Sequence, residues 1–267
     1  GVLIRHGLGD LVRRWGLADT LDRAGHRLHW EGAADLARLP PPVQLRKALE
    51  ELGPTFVKLG QILAGRADLL DAEWIHELEQ LHSQVPALPL DQLRPQLVQD
   101  LGGEPEEVFA SFDAEPLAAA SIAQVHRATL KDGTEVIVKI RRPGIDAIIE
   151  SDLRLLERFA GIAEKQVPAL KPYRPQNLVR EFGRSLRREL DLAAECHNAE
   201  RIATNLMPLG FVVIPAVHWE HTSARLNVQT RILGTPGTDL ARVEAEGMDK
   251  VLLAKRGAQA VMKMIVE

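Results

Sequence analysis

The sequence holds one cysteine, Cys196, in 267 residues, so no disulfide can form within the chain and a reducing, cytoplasmic setting fits. It also has no apolar run of the ~18–20 residues that a membrane-spanning helix requires. The best apolar candidate, Phe211 to Ile214, is of strand length and halts at Pro215. Neither charge is in surplus: 33 basic and 37 acidic residues are interleaved to a net −4. That leaves no long-range field for gathering a polynucleotide, which argues against nucleic acid as a partner. The opening Gly1-Val2-Leu3-Ile4-Arg5 lacks a starting methionine and an h-region, so it is no signal peptide. With an amphipathic close at Met262-Lys263-Met264-Ile265-Val266-Glu267, the sequence reads as an excerpt. The nine histidines show no metal spacing; His218 and His221 are three apart but fall on a strand-to-turn segment. Trp15, Trp30, Trp74 and Trp219 are scattered, as packing residues are.

What is present is ordinary globular material, 45% hydrophobic and 26% charged, enough for one large domain or two modest ones. Up to about Phe109 the apolar period is helical. Pro40-Pro41-Pro42 is a stiff break, after which Leu45, Ala48, Leu49 and Leu52 recur at helical spacing. Gly53 stops that helix and Pro54 starts another. Asp71 is placed to cap a helix carrying Trp74, Ile75, Leu78 and Leu81, and Leu90 to Leu101 forms a further one closed by Gly102-Gly103.

From Ser111 the period shortens. Ala123 to Leu130 and Glu135 to Ile140 predict two strands joined at Asp132-Gly133, a hairpin signal. Long helices are predicted from Ile145 to about Gln166 and from Asn177 to about Leu206. Strand character returns at Phe211 to Ile214, Ala216 to Trp219 and Leu226 to Ile232. Thr238-Asp239 opens a short helix, and the last begins near Asp249. A hairpin first, then helices and more strands, predicts an α+β fold rather than a parallel sheet.

Lys139 ends an apolar strand, where its ammonium must be paired or solvated. It is either a snorkelling lysine or one that grips nucleotide phosphates. Upstream, Pro116-Leu117-Ala118-Ala119-Ala120-Ser121 supplies small side chains where a common kinase has a glycine-rich loop, with less freedom at positive φ. Gln124-Val125-His126 follows. Lys58 and Gln61 stand three apart on one helix face, around Gly60, which admits close approach of another backbone. Glu189 and Asp191 are two apart on a predicted helix and so diverge. Glu181-Phe182-Gly183 imitates a metal-binding Asp-Phe-Gly but lies mid-helix, where Phe182 reads as core.

Taken in order, Lys58-Leu59-Gly60-Gln61, Arg66-Ala67-Asp68-Leu69-Leu70, Ala118–Ser121 with Gln124-Val125-His126, and Glu189-Leu190-Asp191 with Glu195 and Asn198-Ala199 resemble the UbiB/AarF (ADCK-type) family of atypical protein-kinase-like ATPases. The resemblance runs from about Ala48 to Ala199, is looser beyond, and leaves residues 1–40 unplaced. It implies a kinase-like amino-terminal lobe over 111–267, with an inserted helix and the start of the carboxyl lobe. A helical extension carrying the K-x-G-Q motif would occupy 1–110. ATP would be bound by Ala118, Ala119, Ala120, Ser121 and Lys139, with Glu195 as the partner of Lys139. Lys58, Gln61, Glu189 and Asp191 would cover and regulate the pocket.

No His-x-Asp catalytic loop and no Asp-Phe-Gly is found, so magnesium ligands are expected beyond this stretch, which alone is expected to be inactive. At the hinge Thr230 stands where relatives often carry an acid. The implied function of the parent protein is ATPase or phosphotransfer chemistry supporting ubiquinone biosynthesis. The expected partners are ATP or ADP, membrane lipid and quinone-biosynthesis proteins, peripheral to the inner membrane. The alternatives are a pseudokinase-like scaffold without turnover, or a helical interaction module joined to a small sheet.

Overall fold

A computed structural model describes residues 39–81 and 86–266; Trp15, Trp30 and the start of the expected extension lie outside them. Along the chain run α1 (Pro41–Leu52), α2 (Pro54–Ala64), α3 (Ala72–Glu79), α4 (Leu90–Leu101), the one-turn α5 (Pro105–Val108), β1 (Phe109–Phe112), β2 (Ala118–Ala119), β3 (Ala123–Leu130) and β4 (Glu135–Arg141). Then follow α6 (Ile145–Gln166), α7 (Pro175–Glu189), α8 (Leu192–Leu206), β5 (Leu226–Thr230), α9 (Leu240–Ala245) and α10 (Lys250–Val266). The fold is α+β with an antiparallel sheet, as in the amino-terminal lobe of a kinase. The contacts divide it into two compact units.

The first unit is helical and comprises the described residues up to Pro86 with 120–122 and 144–187. Gly53 sits at φ 104°, where a side chain would be strained, and its N–H closes α1 on the Leu49 carbonyl. Pro54 then opens α2 at a position whose N–H would have no helical partner. Ala48, Leu49, Phe56, Val57, Leu78 and Leu81 bury the facing sides of α1–α3. On α6 the residues Ile145, Ile149, Leu153, Leu156, Ala160 and Ala163 are buried at steps of three and four, one stripe of a 3.6-residue helix. Polar ties fix the register between helices. Thr55 Oγ1 donates to Asp152 at 2.7 Å, Arg46 to Glu77 at 2.9 Å, and Arg187 forks onto Glu150 at 2.6 and 2.9 Å.

The second unit, 87–119 with 123–143 and 188–266, is built on the sheet. Its strand order is β1-β3-β4-β5, with β2 pairing on β3. The β3–β4 turn uses Gly133 at φ 89°, and Asp132 Oδ1 accepts the Thr134 N–H at 2.9 Å. Alternation then assigns the faces. Val136, Val138, Ile140, Leu226 and Val228 point to one side and pack with Leu93 and Leu97 of α4 and with Phe109. Lys139, Asn227 and Gln229 point to the other side. The last helix, α10, leaves Val251, Ile265 and Val266 largely exposed, and its Arg256 guanidinium lies 5.2 Å over the Phe211 ring.

Four expectations need correction. The helix expected from Asn177 to Leu206 is two helices, broken at Leu190–Asp191, so Glu189 and Asp191 do not share a helix. Phe211 to Ile214 and Ala216 to Trp219 are not strands: Val217 makes a single bridge to Gln229, and Pro215, without an N–H, interrupts any ladder. Gly60 gives its space to side chains rather than to a backbone, since a Cβ there would strike Leu81 and stand 2.8 Å from Leu49. Asp71 occupies the N-cap position of α3, but its side chain caps nothing. Phe182, mid-helix in α7, is buried as core.

Candidate functional site

The site grows from strand register. Val125 of β3, Lys139 of β4 and Asn227 of β5 are paired across three adjacent strands, and Ile137 is paired with Gln229. These side chains occupy the sheet face opposite the α4 core. Lys139 reaches from it to α8, where its Nζ donates to both oxygens of Glu195 at 2.7 and 3.0 Å. The side chains are 30% and 49% exposed. At that exposure an ion pair contributes about 0–1 kcal/mol to folding. Its consequence is orientation: the ammonium is held in one place on an accessible face.

Asp191 explains how Glu195 comes to be there. It leaves the helical region at φ −95°, ψ 95°, and its Oδ1 accepts the Ala194 N–H at 3.1 Å, capping α8. Arg141 reinforces the break by donating to the Leu190 carbonyl at 2.6 Å, while the Leu192 N–H donates to Ala224. Glu195 then lies in the first turn of α8, where the helix dipole favours a carboxylate. The next residue, Cys196, is fully buried, and burial pushes its thiol up to about 11 despite the Gln229 amide 3.9 Å from its sulfur. At neutral pH it is an inert packing residue.

Ala118 and Ala119 form β2, opposite Val125 and Gln124 of β3. Ala120 and Ser121 follow in the connection to β3, exposed and half-buried respectively. Lys58 and Gln61 belong to the helical unit. Both are half-buried on α2, and Gln61 donates to the Leu81 carbonyl at 3.0 Å. Glu189 is half-buried at the end of α7. Thus Lys139, Glu195 and the cap Asp191 come together in the sheet unit, and the K-x-G-Q pair is placed in the other. At the strand end, Thr230 Oγ1 lies 3.1 Å from His218 Nε2. His221 falls in the 3-10 turn Trp219–His221. Among the described residues no group of three or more His, Cys, Asp or Glu side chains could hold a metal ion.

Two features escaped the reading of the sequence. Asn227 is 3% exposed on the lysine face, and its Oδ1 has no hydrogen-bond partner among the described residues. The alternation Leu226-Asn227-Val228-Gln229, apolar to one side and polar to the other, was the available signal. The second is the burial of Gln124 and His126, read in the sequence only as part of a motif, on the opposite side of β3 from Val125.

Comparisons with known proteins identify the family. Residues 80–267 match the family described as the ABC1 atypical kinase-like domain. A protein named "Probable protein kinase UbiB" from Azotobacter vinelandii is 38% identical over 260 residues, covering 97% of this chain and 48% of the relative. Its namesake from Cellvibrio japonicus is 40% identical over 230 residues, covering 86% and 42%. That from Pseudomonas aeruginosa is 36% identical over 260 residues, covering 97% and 49%. The chain therefore spans about half the length of the curated relatives it matches. Among solved structures, the erythromycin complex of Rv3197 from Mycobacterium tuberculosis matches with a TM-score of 0.50 and 26% identity, covering 84% of this chain and 52% of that one. No helix among the described residues is long and apolar enough to cross a membrane.

Proposed function

Since this chain belongs to the ABC1 atypical kinase-like family and is similar to proteins named UbiB, we propose that its sheet unit binds ATP through Lys139. The observation that carries the reading is the two-oxygen pairing of Lys139 with Glu195 on the accessible sheet face. An ammonium aimed this way presents positive charge to α- and β-phosphate oxygens, while its carboxylate partner stops it collapsing onto the sheet. Ala118 and Ala119 would lie along the phosphates as the small-residue cover, and the segment after Thr230 would meet the base through backbone groups. Lys58 and Gln61 in the helical unit, and Glu189 and Asp191 in the sheet unit, would have a regulatory role, as the family likeness implies. Magnesium would be held by acidic ligands other than these, and its contribution is to neutralise charge on the phosphates. In the whole protein this ATP-dependent chemistry would serve isoprenoid-quinone biosynthesis at a membrane surface, as the UbiB likeness implies.

The test is thermal unfolding of the 267-residue chain with and without ATP or ADP plus magnesium. Ligand at 100 times its Kd stabilises the folded state by about 2.7 kcal/mol, so a rise in midpoint with nucleotide is expected. That rise should be reduced in Lys139→Ala and altered in Lys58→Ala. Equal shifts in all three proteins, or none in the unmodified chain, would overturn the assignment.

A further inference from the structure

Gln124 and His126 are both 0% exposed on the α4 side of β3, beside Val136, Val138 and Ile140. Apolar residues would fill that space without desolvating polar atoms, so their bonds are informative. Gln124 Oε1 accepts the Leu88 N–H at 2.9 Å and its Nε2 donates to the Leu88 carbonyl at 3.0 Å. That two-point clamp fixes which end of the amide is which, because a flipped amide would set donor against donor and acceptor against acceptor. The remaining Nε2 hydrogen points at His126 Nε2, 3.0 Å away. This ring nitrogen must therefore be the acceptor, leaving Nδ1–H to donate to the Asp113 carbonyl at 2.8 Å.

The relay ends on the segment that leads into the alanines. Asp113 is held by its N–H to the Arg127 carbonyl, and Leu117 donates to Val125 at 2.7 Å just before Ala118 pairs with Val125. A two-residue strand has too few ladder bonds to define its own register, and apolar contacts alone would accept a slip. A chain of directed hydrogen bonds is satisfied in one arrangement only. The groups around the ring agree with a neutral imidazole. Phe112 stacks on it at 5.3 Å, and burial holds its pKa below the ordinary value against the opposing pull of the hydrogen bond to the Asp113 carbonyl and of the Asp113 and Glu115 carboxylates. Arg127, 3.9 Å from Asp113, offsets part of that pull.

We propose that Gln124 and His126 are positioning residues for the alanine-rich segment, setting where Ala118 and Ala119 lie through a relay that runs from Leu88 to Asp113. The inference rests on the nucleotide reading for its functional meaning, since that reading makes these alanines the phosphate cover. The test uses the 267-residue chain and needs no nucleotide. Nitrogen-15 spectra of the imidazole at neutral pH, assigned by the loss of the signal in His126→Phe, report the tautomer. Nδ1–H is expected, and Nε2–H or an imidazolium would overturn the relay.

Hydrogen exchange then reads the loop. His126→Phe keeps the stack on Phe112 but breaks the chain, and the Leu117 amide should exchange at least about tenfold faster than in Val138→Ala, a core variant that leaves the relay whole. Equal acceleration in the two variants, or none, would mean a structural role only. Should His126→Phe fail to fold, the tautomer in the unmodified chain decides, with the signal assigned from sequential resonances. Absence of ATP binding by the unmodified chain would remove the nucleotide reading without moving either result.

Discussion

Replacing Asp191 separates two ways in which a carboxylate beside the proposed nucleotide face could matter. Its Oδ1 accepts the Ala194 N–H at 3.1 Å at the start of α8, and Glu195 follows one turn later, its own N–H on the Asp191 carbonyl at 3.2 Å. Loss of a side-chain cap costs about 0.5–2 kcal/mol, and asparagine caps about as well as aspartate. Asp191→Ala should therefore lower the free energy of unfolding by about 1 kcal/mol, whereas Asp191→Asn should stay within about 0.5 kcal/mol of the unmodified chain. Freed of its cap, the first turn of α8 frays and Glu195 no longer aims Lys139. ATP affinity should fall about three- to tenfold in Asp191→Ala and hardly at all in Asp191→Asn. Urea unfolding and nucleotide titration on the same three proteins make the comparison. If Asp191→Asn loses as much affinity as Asp191→Ala, the carboxylate acts by its charge and the capping argument is refuted.

Further outcomes follow from the packing and the buried groups. Leu97→Ala, at a fully buried position against the sheet, should cost about 2–5 kcal/mol in urea unfolding. Gly60→Ala would normally strengthen a helix, but its Cβ would press on Leu81 and Leu49; a net loss of about 1–2 kcal/mol is expected, and a stabilised variant would show that this packing yields freely. The folded-state pKa of His126 is lowered by burial, so its contribution is complete above the unfolded value of about 6.5 and is lost as pH falls toward the folded value. Unfolding midpoints from pH 7.5 to 5 should drop less steeply in His126→Phe. Cys196 should resist thiol reagents at neutral pH until the chain is unfolded, because it is buried with its pKa pushed up to about 11.

Much of this was legible because the signals were local. The 3.6-residue period from Ile145 to Gln166 needs no partner to be recognised, and Asp132-Gly133 states its turn outright. The sequence motifs named Lys139 and Glu195, and the structure pairs them. What escaped depends on distant atoms. Apolar spacing continues smoothly through Leu190, but the helix stops there because Asp191 caps the next one and Arg141, 49 residues upstream, takes the Leu190 carbonyl. Phe211 to Ile214 has strand composition without a neighbouring strand among the described residues, and propensity alone does not supply one. Asn227 stands in an alternating strand whose polar side becomes meaningful only when Lys139 is seen beside it.

The most direct measurement is the Kd of magnesium-ATP for the unmodified chain and for Lys139→Met, by isothermal titration at matched ionic strength, with urea unfolding to show that both are folded. The lysine faces solvent in part and, among the described residues, pairs with Glu195, so the substitution should change stability by no more than about 1 kcal/mol. Affinity should fall at least about tenfold, as expected for loss of a charge-assisted contact to phosphate. Equal affinities in two equally stable proteins would contradict the assignment of Lys139 as the phosphate-binding residue.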